Sequence, residues 1–318
     1  MATIGKDLQV AADILSADEL IAIPTETVYG LAANAFSSVA VAKVFQTKNR
    51  PSFNPLILHT CNLNRVQDFV QDIPAKAEKL AQEFWPGPLT MLFYKKPMVP
   101  EIVTAGLPRV AVRIPNHPIT LQLLEKLDFP LAAPSANPFG YVSPTRPEHV
   151  DDQLGDKIKY ILDGGACEVG IESTIVGFEE DKVVIYRLGG LSVEAIEKVV
   201  GPVDSLPHST SQPQSPGMLK SHYAPGKKVL IGDIATLLNL YGNKNVGTIS
   251  LNSSFPELPA DHQIALSLSG DLQEAAAGLF KALRYLDSLP ITYIFAEPMP
   301  NQDLGRAIND RLKRAAAE

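Results

Sequence analysis

The first two thirds of the chain alternates short apolar runs with polar turns. Runs at 20–23, 56–59, 89–94, 110–114, 131–133, 159–162, 172–176 and 183–188 are rich in Ile, Leu, Val and Ala, which predicts buried β-strands. Residues 7–15, 39–47, 75–84, 119–127 and 192–199 place apolar side chains three and four apart, as amphipathic helices do. This alternation predicts an α/β domain built on a twisted, mixed, open sheet with flanking helices.

From Lys228 the alternation becomes regular and describes a second, smaller unit. Residues 229–231, 246–251, 264–268 and 291–296 read as strands, and 234–240, 271–289 and 304–315 read as helices. Strictly alternating strands and helices predict a small Rossmann-like domain with a parallel sheet. The domain has no GxGxxG motif, so no dinucleotide is assigned to it.

A polar, proline-rich segment separates the two patterns. Residues 204–216, DSLPHSTSQPQSP, contain almost no apolar anchor, which is typical of a linker. We therefore predict a catalytic domain at 1–203, a linker at 204–227 and the Rossmann-like domain at 228–318. Lys220, His222 and Tyr223 follow close together, which is unusual in a linker and indicates that this segment lies over the rest of the protein.

Composition narrows the class of protein. The 318 residues are 45% hydrophobic and 20% charged, as in ordinary soluble domains. A net charge of -7 argues against coating nucleic acid through bulk charge, although a local basic patch is allowed. Cys61 and Cys167 form no CxxC pair, which excludes a disulfide framework and fits a reducing cytosol. No apolar run approaches the ~20 residues of a membrane span, and no signal peptide is seen, so a cytoplasmic protein without a membrane partner is expected.

Strand ends repeatedly deliver hydroxyl, amide and cationic groups into loops. The strand at 20–23 leads into a turn that contains Thr27, and Lys48 and Arg50 lie one residue apart just before Pro51. Cations beside amides and hydroxyls suit phosphates and carboxylates. A solvated basic pair at a helix end explains Lys48 and Arg50 equally well. Ser135 and Asn137 have an ordinary reading too, because such side chains often bond to their own turn.

Arg113 stands on an otherwise apolar strand, where a guanidinium is costly unless it meets an anion. An arginine at a strand edge that pairs with an acid or faces water is the equally common alternative. Arg50, Arg113 and Arg187 are well separated along the chain but would meet if their strands end at one edge of the sheet. No Walker, HExxH or GxSxG motif is present, so the residues alone predict an anion-binding α/β enzyme for which a nucleotide is one candidate ligand.

Eight short motifs follow one another along the chain: PTETVYGL, KNRPSFNPLILH, WPGPLT, VAVRIPNHP, APSANPFG, IESTIV, RLGG and SPGMLKSHYAP. Together they resemble the threonylcarbamoyl-AMP synthase family in its two-domain form, and DLGRAINDRLKRAA resembles the signature of that form's second domain. The resemblance implies a nucleotidyltransferase that makes L-threonylcarbamoyladenylate and pyrophosphate from L-threonine, bicarbonate and ATP. The product serves the threonylcarbamoyl modification of adenosine 37 in tRNA.

The resemblance also implies a set of site residues. ATP is expected to contact Arg50, Asn54, Ser135, Ser143, Arg187 and Tyr223, with Tyr223 closing over the nucleotide. L-threonine is expected to contact Thr27, His59, Arg113, Ser173 and the main chain near Ala133. Lys48 and Arg50 are the expected catalytic cations, Asn137 completes a Ser-x-Asn motif, and Mg²⁺ is expected to accompany ATP. Arg109 stands where the family often has a small threonine, which leaves an ATP contact there in doubt.

Two other functions remain open at the level of sequence. An RNA-binding module would use the region of Lys48 and Arg50 against a phosphate backbone, although the net charge disfavours it. A carbamoyl-transfer maturation enzyme would share the first domain, although no matching zinc-finger cysteine pattern is present. The expected further partners are the downstream tRNA threonylcarbamoyl transferase machinery and weakly bound RNA. No general base stands out, and His59 qualifies only by its residue type.

Overall fold

The computed structural model describes residues 1–180, 182–206 and 222–317 of the chain. These residues form an eleven-stranded sheet and a four-stranded sheet, together with eleven α-helices. Within these ranges, no helix combines the length and the apolar character that crossing a membrane requires.

Eleven strands form the N-terminal sheet. They are β1 (Thr3–Gly5), β2 (Ile21–Ile23), β3 (Gly30–Asn34), β4 (Ile57–His59), β5 (Leu89–Tyr94), β6 (Arg109–Arg113), β7 (Leu131–Ala132), β8 (Tyr160–Leu162), β9 (Thr174–Glu179), β10 (Lys182–Arg187) and β11 (Asp204–Ser205). Their spatial order is β1-β8-β2-β3-β7-β4-β6-β5-β9-β10-β11. Strand β6 pairs parallel with β4 and antiparallel with β5, so the predicted mixed sheet is confirmed.

Eight helices accompany this sheet. They are α1 (Leu8–Ser16), α2 (Ser38–Lys48), α3 (Leu63–Phe69), α4 (Ala75–Phe84), α5 (Glu101–Thr104), α6 (Pro118–Lys126), α7 (Pro147–Leu154) and α8 (Val193–Val200). Helix α2 matters most for the site. The Ser37 side chain caps its first turn, and Asn49 ends it in the left-handed conformation with φ of 51°, a common helix stop. The chain therefore turns sharply between Lys48 and Arg50.

Several elements depart from the sequence prediction. Strand β3, GLAAN, is not among the predicted strands, because glycine and alanine have little strand preference. It is a strand because it is buried between β2 and β7, with which it pairs. Helices α3 and α7 and strand β1 were not predicted. Strand β9 begins at Thr174 rather than Glu172, which leaves Glu172 and Ser173 in the connection before it.

The register of the central strands brings distant residues to one place. His59 at the end of β4 lies opposite Arg113 at the end of β6, and Gly30 forms an isolated bridge with Ser135. A Cβ atom at Gly30 would lie 3.1 Å from the Cβ of Ala133, the residue after β7. A larger residue at position 30 would therefore press on Ala133. These pairings bring the end of β4, the end of β6 and the loop after β7 together.

The C-terminal domain has four strands and three helices. They are β12 (Lys228–Ile231), α9 (Ile234–Tyr241), β13 (Val246–Ser250), β14 (Gln263–Ala265), α10 (Leu272–Ser288), β15 (Tyr293–Ala296) and α11 (Gly305–Ala315). The strands run in the order β12-β15-β13-β14, and every pair is parallel. The predicted parallel Rossmann-like arrangement is therefore confirmed.

The two domains share a hydrophobic core. Val28, Val142 and Ile171 of the first domain pack in one cluster with Leu279 and Phe280 of α10. Polar contacts continue this interface, because the Tyr141 hydroxyl donates to Asp287 at 2.5 Å and Arg284 donates to the main-chain oxygen of Ser143 at 3.3 Å. These buried apolar contacts favour the association of the two domains.

The predicted linker is only partly described. Its first two residues form β11, which pairs parallel with β10, and its last residues, from His222 onward, lie between the domains. Residues 207–221, which include Lys220, lie outside the described residues. The domain boundaries drawn from the sequence therefore stay a prediction.

Candidate active site

One cavity collects most of the polar residues that the sequence singled out. Nine of the thirteen predicted site residues line it: Thr27, Arg50, His59, Arg113, Ala133, Ser135, Ser173, Arg187 and Tyr223. Glu172 and His222 also line the cavity, although neither is among the predicted site residues. Three separate arginines therefore face one space. Four predicted residues, Lys48, Asn54, Asn137 and Ser143, are buried without being among the lining residues of this described cavity.

Arg113 enters the site from the end of β6 with its partners already fixed. Its Nη2 pairs with Oε1 of Glu26 at 2.7 Å, and its Nη1 donates to the Thr27 hydroxyl at 2.8 Å. Nε donates to the main-chain oxygen of Gly87 at 3.1 Å. Both partners of the ion pair are buried. Hydrogen bonds use two of the five N–H groups, those on Nε and Nη1, while Nη2 lies beside Glu26 without a hydrogen bond, so N–H groups remain for a carboxylate.

His59 lies beside Arg113 at the end of β4. Burial and the neighbouring Arg113 charge lower the pKa of His59 to about 3. The imidazole is therefore neutral at ordinary pH, and so low a pKa makes it a poor proton acceptor. This speaks against a general-base role for His59 and leaves it suited to binding.

Ser173 and Arg187 are joined by the hairpin of β9 and β10. Nη2 of Arg187 donates to the main-chain oxygen and the hydroxyl of Ser173 at 2.8 and 3.0 Å, and the Ser173 hydroxyl also bonds to Thr90 at 2.7 Å. A register shift between Ile185 and Arg187 bends β10 at this point, as a bulge does next to many active sites. The motifs IESTIV and RLGG are therefore held together by hydrogen bonds between Ser173 and Arg187.

Arg50 and Lys48 differ in what they reach. Arg50 lines the cavity and donates to the main-chain oxygens of Asn54 and Pro55 at 3.2 and 2.9 Å. Nζ of Lys48 instead donates to the main-chain oxygens of Ser135 (2.5 Å) and Asn137. Burial, followed by the Arg50 charge, lowers the pKa of Lys48. Lys48 therefore anchors the loop that presents Ser135, and its direct catalytic role stays a prediction.

Asn54, Asn137 and Ser143 support the cavity from outside its lining. The Asn137 side-chain amide donates to the main-chain oxygens of Pro138 and Tyr141 at 2.8 and 2.9 Å, which closes the turn that follows Ser135. The Ser143 hydroxyl donates to Glu172 at 2.6 Å. Asn54 is completely buried, and its main-chain oxygen holds Arg50. A direct ATP contact from Asn54 or Ser143 stays a prediction.

His222 and Tyr223 cover the cavity from the end of the linker. Their rings lie 4.2 Å apart, and Tyr223 stacks on Phe280 of α10 at 5.4 Å. Tyr223 has a φ of 65°, which a bulky residue rarely adopts without support from its surroundings. With these rings in place the cavity holds about 50 Å³, far less than the roughly 300 Å³ of a small ligand pocket. A nucleotide therefore needs more room than the cavity offers in this conformation.

Three charged residues near the site, Arg109, Glu26 and Glu172, were not assigned to it from the sequence. Arg109 does not line the described cavity and donates to the Tyr186 hydroxyl at 2.8 Å, so this geometry gives an ATP contact from Arg109 no support. Sequence reasoning missed Glu26 and Glu172. Both stand inside quoted motifs, in PTETVYGL and IESTIV, and an acid among apolar residues was the signal that pointed to a buried ion pair.

Metal binding by the protein itself gains no support from this site. The described residues contain no group of three or more His, Cys, Asp and Glu side chains able to hold an ion. Glu172, the acid in the lining, already pairs with Arg311 at 2.8 Å. Mg²⁺ therefore stays a prediction, expected as an ion that the ATP phosphates carry into the site.

Two family models divide the chain between them. The model described as Telomere recombination matches residues 13–189, and the model described as Threonylcarbamoyl-AMP synthase, C-terminal domain, matches residues 191–317. Together they cover both domains.

Curated relatives match over nearly the full length. Threonylcarbamoyl-AMP synthase of Bacillus subtilis is 39% identical over 327 residues, covering 99% of this chain and 94% of the relative. The protein of the same name from Pyrococcus abyssi is 39% identical over 324 residues, covering 97% and 94%. A crystal structure of P. abyssi Sua5 complexed with L-threonine superimposes with a TM-score of 0.93 at 38% identity, covering 99% of this chain and 97% of that one.

Proposed function

The chain belongs to the threonylcarbamoyl-AMP synthase family, and on that premise we propose how its cavity makes L-threonylcarbamoyladenylate from L-threonine, bicarbonate and ATP. Pyrophosphate is the second product, and the adenylate serves threonylcarbamoylation of adenosine 37 in tRNA. The observation that carries the proposal is the convergence of Arg50, Arg113 and Arg187 on one cavity of a chain that matches synthases along its whole length.

The threonine half of the site consists of Thr27, His59, Arg113, Ala133 and Ser173. The relative with this fold was crystallised with L-threonine, and a buried arginine with free N–H groups suits an amino-acid carboxylate. Arg113 binds that carboxylate, while the hydroxyls of Thr27 and Ser173 bind the polar groups of the substrate. The ion pair with Glu26 fixes the guanidinium before the substrate arrives.

The nucleotide half consists of Arg50, Asn54, Ser135, Ser143, Arg187 and Tyr223. Arg50 and Arg187 line the cavity and neutralise phosphate charge, which is the main task of protein groups in phosphate chemistry. Lys48 contributes through the loop that it holds. Segment 222–223 opens to admit ATP and then covers it, which keeps water away from the reacting groups.

The reaction forms an N–C bond and an O–P bond, and it breaks an amine N–H bond, the P–O bond to pyrophosphate and, when bicarbonate itself reacts, one of its C–O bonds. The threonine amine attacks the carbon of bicarbonate, or of carbon dioxide released from it, and forms a carbamate with loss of water or a proton. A carbamate oxygen then attacks the α-phosphorus of ATP, and the bond to the leaving pyrophosphate breaks. Positioning supplies much of the acceleration, since the two halves hold both reactants in one small space. Mg²⁺ travels with ATP as part of the substrate.

The test measures pyrophosphate release by the purified full-length chain with ATP and each co-substrate. We expect release that requires both L-threonine and bicarbonate, and a product with the mass of threonylcarbamoyladenylate. L-Serine, which lacks the threonine methyl group, is the matched control substrate and should react more slowly. Pyrophosphate release that ignores threonine would refute the proposal.

The remaining partners extend this proposal. Delivery of an unstable adenylate calls for a downstream tRNA threonylcarbamoyl transferase machinery, and weak RNA contact and a cytoplasmic location accompany such a role. The RNA-binding alternative would show steeply salt-dependent RNA affinity without turnover. The carbamoyl-transfer maturation alternative is disfavoured because the second domain matches the synthase-specific family model.

A further inference from the structure

Helix α11 carries an arginine from the second domain to the edge of the cavity. The side chain of Arg311 is completely buried. Its Nε donates to Oε2 of Glu172 at 2.8 Å, and its Nη1 donates to Oδ2 of Asp310 at 2.9 Å. Its guanidinium carbon lies 5.1 Å from the ring centroid of Tyr223, within the range of a cation–π contact. One side chain therefore joins the first domain, the second domain and segment 222–223.

Glu172, the partner of Arg311, belongs to the cavity wall. It precedes Ser173 in the chain, and its second oxygen, Oε1, accepts a hydrogen bond from Ser143 at 2.6 Å. Burial acts to raise the pKa of Glu172, but the charges of Arg311 and Arg187 and the bond from Ser143 outweigh it and lower the pKa. The carboxylate therefore stays ionised, and an ionised carboxylate holds the Ser143 hydroxyl in one orientation.

We propose that Arg311 is a positioning residue through which the C-terminal domain completes the nucleotide half of the site. It acts on Ser143 through Glu172 and on Tyr223 through direct contact with the ring. The inference rests on the proposed function, because Ser143 and Tyr223 are taken to contact ATP. It assigns the second domain a task in substrate binding beyond adding stability.

A purely structural role for Arg311 makes a different prediction. Loss of an interdomain ion pair would lower the folded fraction and reduce binding of both substrates by the same factor. A positioning role weakens ATP binding selectively, because Glu172 holds Ser143 and Arg311 contacts Tyr223, both assigned to the nucleotide half, while Arg113 keeps its own partner, Glu26. The ratio of the two affinities therefore separates the roles.

The experiment titrates the full-length chain with ATP and, separately, with L-threonine by isothermal calorimetry. The variants are Arg311→Met, Arg311→Lys and Glu172→Gln. For Arg311→Met we expect about tenfold weaker ATP binding, the effect of losing roughly one hydrogen bond to a charged group, with threonine affinity changed less than about twofold. Arg311→Lys keeps the charge and should lose less. Glu172→Gln should weaken ATP binding in the same direction as Arg311→Met.

Arg306→Met is the matched control. Arg306 also lies on α11 and pairs across the domains with Glu194 on α8, away from the residues that line the cavity. We expect wild-type affinity for both substrates from this variant. Circular dichroism and the calorimetric stoichiometry give the folded, binding-competent fraction of each protein.

The measured ratio of ATP affinity to threonine affinity decides between a positioning and a structural role of Arg311. ATP affinity within twofold of wild type in Arg311→Met, or equal losses for ATP and threonine, would overturn the proposal. If Arg311→Met does not fold, Arg311→Lys and Glu172→Gln decide the question by the same ratio. Wild-type protein that binds no ATP would count against the proposed function itself rather than against the role of Arg311.

Discussion

The threonine half and the nucleotide half of the cavity are built in different ways. Arg113 and His59 stand opposite each other at the ends of adjacent strands of one sheet, and Arg113 has a fixed acidic partner. The nucleotide half is assembled from the loop after α2, the loop after β7, the end of the linker and supports from the second domain. Under the proposed function, a rigid sheet recognises the small substrate, while parts able to separate enclose the large one.

The size of the cavity gives a reason for this difference. About 50 Å³ is open when His222 and Tyr223 are in place, so a nucleotide cannot enter without movement. Movement of strand ends would break the hydrogen-bond ladder of the sheet, whereas movement of segment 222–223 exchanges ring contacts and the main-chain hydrogen bond from His222 to Arg314 for water. The comparison predicts that changes in one half leave binding in the other half nearly intact.

The largest effect is expected from Arg113→Ala. Removing the guanidinium eliminates paired hydrogen bonds to the threonine carboxylate, a loss of about 3 kcal/mol, or roughly 100-fold in threonine affinity. ATP affinity should change by less than about threefold. Calorimetric titration of each ligand measures both. Arg113→Lys serves as a control that retains a charge opposite Glu26, and equal losses for the two ligands would contradict the division into halves.

Acidification should destabilise the protein through its buried neutral histidines. His59 has a folded-state pKa of about 3, against ~6.5 in an unfolded chain. Between these values the unfolded chain binds more protons, so stability falls as pH decreases from about 6.5, by up to ~1.4 kcal/mol per pH unit from His59. Urea denaturation at pH 7, 6 and 5 measures this slope, and His59→Gln should flatten it.

The companion variant His222→Gln sharpens the comparison between the halves. Burial and the charge of Arg50 lower the pKa of His222 as well. We expect a smaller flattening from this variant, because segment 222–223 separates more readily than a strand end and lets His222 take up a proton without global unfolding. An equal or larger effect of His222→Gln would show that this segment is as firmly held as the sheet.

The smallest effect is expected from Tyr223→Phe. The ring keeps its stacking on Phe280 and its contact with Arg311, so ATP affinity should change by less than about threefold. Tyr223→Ala removes both contacts and should weaken ATP binding by about tenfold. Threonine binding in the absence of ATP should be similar in both variants. A larger loss in Tyr223→Phe than in Tyr223→Ala would show that the hydroxyl, not the ring, does the holding.

Local patterns in the chain were enough to find most elements, whereas the family resemblance supplied the set of site residues. The C-terminal alternation predicted a parallel sheet, because apolar runs of strand length separated by amphipathic helices leave few other ways to bury their surface. Arg50, Arg113 and Arg187 stood out since charges in apolar surroundings need partners. The run GLAAN of β3 was missed because its strand state depends on neighbours in the sheet rather than on its own residues.

The sequence by itself determined the two α/β patterns, the polar, proline-rich linker between them and the identity of the polar groups that the protein offers to an anion. Only the tertiary structure decided which partner each charge received: Glu26 for Arg113, main-chain oxygens for Lys48, and Arg311 of the second domain for Glu172. The reason is physical. Periodicity and residue type act over a few positions, whereas the pairing of buried charges depends on which strand ends and helix faces meet, and these partners lie up to 139 residues apart along the chain.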